Sequence, residues 1–517
     1  MSNDPTGSNI APKQSKPKPR SAGSVKDHRA GGRGEKNKRP AAGQGQKPRS
    51  DKSDKRPRGE PSRDAALHIL MEVLHNGVSL SEAAPKLMQA GAAYADLDPR
   101  DKAFARAAAT TALRYARPLT QFTSRFMTKP LANRHRRIDA ILLLAAAQIL
   151  ELETAPHAVI SIAVDQARVR RTDAHLDKLV NAVLRRVAEN RSAWLDVKQE
   201  VGPAACLPDW MWARWQADYG EDLAKDIAAA SLKQAALDIT VKSDPDQWAE
   251  KLASAKLETG TLRLSPGGRI EDLPGFADGA WWVQDAASAL PATLFGDIAS
   301  QTVLDLCAAP GGKTAQLAAS GANVIAVDSM VNRVRRLREN LDRLDLSAQC
   351  IEADVLEWRP DEPVRFVLLD APCSATGTLR RHPDILHLKR ETDQKDLVTI
   401  QARFLTAAFG FLAPGGTLLY CTCALEKAEG EQQVRRFLER TPTARRVPFE
   451  SVADRIPGQW LNEDGDIRIL PTFSPPTKPA KNASPTISPD DSGPSVPPDG
   501  IDGFFIARIT RVSQADD

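Results

Sequence analysis

Three short segments of the chain hold residue types that do chemistry. The first is Asp305-Leu306-Cys307-Ala308-Ala309-Pro310-Gly311-Gly312-Lys313-Thr314. The second is Asp370-Ala371-Pro372-Cys373-Ser374-Ala375-Thr376-Gly377, and the third is Tyr420-Cys421-Thr422-Cys423. Each follows a run of apolar residues (VLDL, RFVLLD and GTLLYC), so each stands at the C-terminal end of an expected strand. In doubly wound folds, ligands bind at such ends. The turn 307–313 is not a phosphate loop. Gly312-Lys313-Thr314 matches the end of that motif, but the glycine it needs five places earlier is Cys307. Nor does the turn carry the GxGxxG dinucleotide pattern.

What remains is a turn of small residues that lets a ligand approach the backbone. It leads into a helix N-terminus that favours an anionic group. Asp328 closes the next strand, NVIAVD, where an acid is placed to bind the two hydroxyls of a ribose. Asp354 follows the third strand and is placed for the exocyclic amine of an adenine. A ribose, an adenine and a carboxylate tail without a diphosphate describe S-adenosylmethionine.

Strand ends four and five lie beside that crevice, so Cys373 and Cys423 can converge there. Thiols bind zinc or act as nucleophiles. Cys421-x-Cys423 is tighter than the usual separation of a zinc pair, and few His lie near. Because side chains alternate along a strand, Cys421 is expected to point away from Cys423 and pack as a small apolar residue.

The elements that must hold these segments fall into distinct stretches. Leu67, Leu70, Met71 and Leu74 occupy one helix face; Ile138, Ile141, Leu142, Ala145 and Ile149 repeat the pattern, as do Leu176, Leu179, Val180, Val183, Leu184 and Val187. Residues 62–192 therefore read as an all-helical domain of five to seven helices. Two basic clusters lie on it, Arg134, Arg136, Arg137 and Arg168, Arg170, Arg171, either as solvated faces or as RNA contacts. Residues 193–300 read as linker helices and a small α+β subdomain with a strand at 236–242. The tryptophans 210, 212 and 215 are expected to form a domain junction rather than a base-stacking platform. From 301 onward, buried strands alternate with helices, the pattern of a mostly parallel α/β sheet. The last strand, GFFIARITR, is expected to add antiparallel at its edge. Residues 474–500 are Pro/Ser-rich and read as a loop insertion.

Composition narrows the class. Hydrophobic residues make up 42% of 517, enough for packed cores. No run of about 18 apolar residues is present, so no transmembrane helix is expected, and without a signal-like N-terminus the default location is the cytoplasm. Residues 1–60 hold 16 Lys and Arg against 6 Asp and Glu, while the whole chain is only +4, so the remainder is mildly acidic. That basic tail has almost nothing to bury and reads as disordered, serving either as a phosphate-binding arm or as a solubilising segment. Six cysteines are too few for a disulfide scaffold and read as free thiols.

CAAPGGK, VLLDAPCSATG with RRHPDI, and YCTCALEKAEGEQQV resemble the bacterial ribosomal RNA cytosine-C5 methyltransferases of the Sun/Fmu (RsmB) type over about 62–474 and 500–512. The helical domain resembles NusB, an RNA-binding fold. The resemblance implies a Rossmann-like methyltransferase domain that uses S-adenosylmethionine and no metal, acts on small-subunit ribosomal RNA, and has no membrane partner; a monomer is the default. It implies that Cys307 to Lys313 with Asp328, Asp354 and Asp370 bind the cofactor. Cys423 would be the nucleophile, and Cys373 the second cysteine that helps release product. Lys313 or the sulfonium would lower the Cys423 thiol, and Asp370 would bond the N3/N4 edge of cytosine. The sequence departs from the family at Leu237–Lys242, where Arg-x-Asn is common, and at Ala424, where Ser is common. The alternative reading is a non-catalytic RNA-binding assembly factor built on a retired methyltransferase fold. DNA as substrate is a weaker one.

Overall fold

The structure, a computed structural model, describes residues 60–265, 269–451, 456–475 and 499–512. The expected basic tail up to residue 59 and most of the expected 474–500 insertion lie outside the described residues.

The N-terminal half is helical. Seven α-helices run from Glu60–Asn76 to Asp177–Glu189, the upper end of the expected number. Arg136–Leu150 (RRIDAILLLAAAQIL) is apolar nearly all round, and this places it at the centre: every residue from Ala140 to Leu150 is buried. Asp177–Glu189 has a single apolar stripe and buries only Val180, Val183, Leu184 and Val187. The first basic cluster is not all surface. Arg137 is buried and donates to the Gln166 carbonyl (3.4 Å), because its position on the central helix faces the neighbouring helix Pro156–Arg168. Arg168 of the second cluster is ion-paired with Asp165 and Asp177.

Two helices, Asp209–Tyr219 and Glu221–Ser231, lead to a four-stranded antiparallel sheet that includes Leu237–Val241 and Trp281–Val283. The main sheet follows. Its parallel core has the strand Thr302–Leu306 between Asn323–Asp328 and Val364–Asp370. Gln349–Glu352 lies outside the former and Leu412–Thr422 outside the latter. The chain therefore builds outward from Thr302–Leu306 on one side and then crosses to the other. The resulting crevice opens at the C-terminal ends of Thr302–Leu306 and Val364–Asp370.

Phe504–Arg511 pairs antiparallel with Leu412–Thr422, as expected, but it is not the edge. Ala444–Arg446 and Ile467–Ile469 pair with it from the far side. Those two strands are only three residues long, too short for an alternating pattern to identify them in the sequence.

The tryptophan-bearing helix Asp209–Tyr219 forms a junction core. Met211 and Trp215 are fully buried with Leu379, Ile385, Leu386, Leu425 and Leu470 of the C-terminal half. The RRHPDI segment joins the helical domain to the same seam. The Leu80 N–H donates to Asp384 Oδ2 (2.9 Å), His387 Nε2 donates to the Leu113 carbonyl (2.8 Å), and Arg114 donates to the Arg380 carbonyl (2.9 Å). Among the described residues, no helix is long and apolar enough to cross a membrane.

Candidate active site

The turn after Thr302–Leu306 is built by backbone that ordinary residues avoid. Cys307 sits at φ +62° and Gly311 at φ +104°. A Cβ at Gly311 would lie 2.3 Å from Leu337 Cδ1, so both the conformation and the space require glycine. Gly312 then opens the helix Gly312–Ala319 toward the crevice. Asp328 is buried at the neighbouring strand end. It accepts from the Ala309 N–H (3.2 Å) and the Met330 N–H (3.2 Å), and Arg333 stands 3.4 Å away. The turn and Asp328 thus form one assembly. Asp354 lies farther out: it is exposed and caps its own turn by accepting from the Leu356 N–H (2.8 Å). The Cys307 thiol packs against the apolar layer under the sheet, and burial pushes its pKa well up, so it is not poised as a nucleophile.

Lys313 reaches across the crevice to Asp370 (Nζ–Oδ2 2.7 Å) and lies 5.2 Å over the Phe504 ring. Burial opposes its charge, but the adjacent carboxylate outweighs that and holds the ammonium above its ordinary range. Its charge is thus directed at Asp370, and the group in contact with the Cys423 sulfur is another thiol.

Cys373 and Cys423 are brought together with their sulfurs 3.4 Å apart. The hydrogen bond to Cys423 and burial raise the Cys373 thiol well above its usual value. Cys373 therefore stays protonated and can donate to a Cys423 thiolate. Cys421 is fully buried, as strand alternation requires, and burial raises its thiol as well.

The two cysteine loops are stacked backbone on backbone. The Gly377 N–H donates to the Cys423 carbonyl (2.9 Å), and the Gly377 carbonyl accepts from the Gly503 N–H (2.9 Å). A Cβ on Gly377 would meet both Gly503 O (2.2 Å) and Cys423 O (2.8 Å).

Behind the sulfurs lies a buried polar layer that sequence reasoning missed. Glu429 accepts from the Ser374 N–H and from Gln401 Nε2, both at 2.9 Å. Burial and the neighbouring Glu426 push its carboxyl up to about 7. The only sequence signal was the close spacing of Glu426, Glu429 and Glu431, in a stretch (EKAEGEQQVRR) whose other polar residues make it read as solvated. Deeper in the seam, Arg381 bonds Asp285 and Asp502, all three largely buried.

Comparison with known proteins adds independent findings. Residues 293–478 match the family described as 16S rRNA methyltransferase RsmB/F, and residues 60–189 match the NusB family. Ribosomal RNA small subunit methyltransferase B of Vibrio vulnificus is 34% identical over 405 residues, covering 75% of this chain and 93% of that protein. The protein of the same name from Vibrio cholerae is 35% identical over 419 residues, covering 77% of this chain and 94% of its own. The crystal structure of PH0851 superposes with a TM-score of 0.67 at 20% identity, covering 88% of this chain and 99% of that one, and so has the same fold.

Proposed function

The chain belongs to the RsmB/F family of 16S rRNA methyltransferases, and on that premise we propose that it transfers a methyl group from S-adenosylmethionine to C5 of a cytosine in small-subunit ribosomal RNA, through a covalent bond between Cys423 and C6. The observation that carries the reading is the pair of thiols 3.4 Å apart beside the crevice.

The crevice suits the donor. Glycine at 311 lets the turn fold tightly against Leu337, the N–H groups at the start of Gly312–Ala319 suit a carboxylate, and each oxygen of Asp328 keeps lone-pair capacity for a ribose hydroxyl. Asp354, at the mouth, suits an adenine amine. When bound, S-adenosylmethionine supplies an electrophilic methyl group on a cationic sulfonium.

Cytosine C5 is too weak a nucleophile to accept that methyl unaided. The Cys423 thiolate adds to C6, and the electron pair of the C5–C6 double bond is pushed onto C5. After methylation, loss of the C5 proton and departure of Cys423 restore the aromatic ring. A free thiol has a pKa near 8.5, so only a few per cent is ionised at neutral pH. The Cys373 S–H, donating to Cys423, stabilises the anion both before attack and on departure. Asp370, tied to Lys313, is an acceptor suited to the cytosine N4 amino group. The target base must leave any stack to enter. The NusB-like domain would grip the RNA mainly through phosphates and shape.

Cys423→Ala is expected to abolish methyl transfer while leaving S-adenosylmethionine binding near normal by calorimetry. Substantial turnover by that variant would overturn the nucleophile assignment. Bisulfite sequencing of ribosomal RNA from cells lacking the protein would identify the cytosine through a lost methylation.

A further inference from the structure

Glu426 is fully buried, yet among the described residues it forms no ion pair. Its carboxylate gathers three donors from two other elements. Oε2 accepts from the Ser374 hydroxyl (3.0 Å) and the Thr376 hydroxyl (2.5 Å), both on the loop just after Cys373. Oε1 accepts from Trp215 Nε1 (3.1 Å) on the helix Asp209–Tyr219. Glu426 itself lies three residues beyond Cys423. The Thr376 hydroxyl also accepts from the Leu425 N–H (3.0 Å), closing a ring between the two cysteine loops. The same helix supports the Cys423 loop twice more. Tyr219 donates to the Leu425 carbonyl, and Asp218 accepts from the Lys427 N–H (3.0 Å).

A buried charge is costly unless donors surround it. Here three donors do, and none belongs to the reaction. We infer that Glu426 is a positioning residue that fixes the two cysteines in register and couples that register to the linker helix Asp209–Tyr219. One carboxylate bonded to the loops after both cysteines sets the distance between the sulfurs. Charge-assisted hydrogen bonds are shorter and stronger than neutral ones, so they resist sliding of one loop past the other. The inference rests on the proposed roles of Cys373 and Cys423 for its kinetic consequence, but the geometric consequence stands without them.

Glu426→Gln keeps the shape and lets the Ser374 and Thr376 hydroxyls turn to accept from the new amide, so the fold is retained, but it converts three charge-assisted bonds to neutral ones. The test uses the thiols themselves as a ruler. Diamide, an azo oxidant, takes one electron and one proton from each of the two thiols. One S–S bond forms, and the azo group becomes a hydrazine. The rate of the Cys373–Cys423 link is followed in the full chain by peptide mapping, with a melting curve as the control for folding.

Wild type is expected to link fast, and Glu426→Gln at least about fivefold more slowly, with kcat lowered by about tenfold or more and the KM for S-adenosylmethionine unchanged, since small misplacements of reacting groups are costly. Ser374→Ala, which removes one donor and leaves the Ser374 N–H bond to Glu429, is expected to show the same direction with a smaller effect. Equal linking rates in wild type and both variants would overturn the inference, as would a fall in kcat with no change in linking. If instead Cys423→Ala retains turnover, the reaction assignment falls while the ruler still tests the clamp.

Discussion

Glu429 offers a charge that can be removed without removing its shape. Burial, reinforced by the neighbouring Glu426, raises its carboxyl from 4.5 to about 7, against the opposing bonds from Ser374 and Gln401. Between those two pH values the folded chain keeps a proton that the unfolded chain has released. Its contribution is therefore fully present below about pH 4.5 and is lost as pH rises through 7. Linkage at 1.36 kcal/mol per pKa unit makes the loss between pH 5 and pH 8 roughly 2–3 kcal/mol. Glu429→Gln is neutral throughout and abolishes that slope. The amide oxygen still accepts from Ser374 and Gln401, but its NH2 falls where Oε1 has no partner, a constant cost of about 1–3 kcal/mol. The variant is therefore expected to be less stable than wild type at pH 5 and to recover by roughly 2–3 kcal/mol relative to it at pH 8. Chemical denaturation at both pH values measures this difference. Subtraction cancels Asp305, Asp466 and Asp502, which burial also raises to about 7 and which both proteins share. Parallel pH profiles for the two proteins would refute the reasoning.

Other changes separate binding from scaffolding. Gly311→Ala forces a Cβ against Leu337 at a positive φ, and should weaken S-adenosylmethionine binding in calorimetry by about 1–3 kcal/mol, with melting lowered as well. Unchanged affinity would remove the turn from the binding site. Arg381→Ala leaves Asp285 and Asp502 buried without their shared cation, and should destabilise by about 3–5 kcal/mol in denaturant titration. Asp384→Ala removes the acceptor for the Leu80 N–H at the domain seam; the RNA KM should rise while the S-adenosylmethionine KM does not.

The parallel core was legible because buried strands are continuous apolar runs, and two of them end in an aspartate, Asp328 and Asp370, at the crevice. The convergence of Cys373 and Cys423 followed from strand order, and the burial of Cys421 followed from period-two alternation. Asp354 was harder to read. Its position beyond a strand end put it on the crevice side, but not how far outward the turn would carry it. The polar layer under the thiols was invisible for a different reason: Glu426, Glu429, Ser374 and Thr376 are ordinary surface types, and only the folding of two distant loops against one helix makes them interior. The same holds for Asp384 of RRHPDI and for His387 two residues beyond it, whose bonds go to the helical domain.

The nucleophile assignment is tested most directly by incubating Cys373→Ala with substrate RNA and S-adenosylmethionine and running the mixture on a denaturing gel. With release impaired, a retarded protein–RNA band should accumulate, and peptide mapping should find the nucleotide on Cys423; the band should vanish in the Cys373→Ala, Cys423→Ala double variant. A band that persists in the double variant, or a nucleotide mapped to another residue, would contradict the assignment.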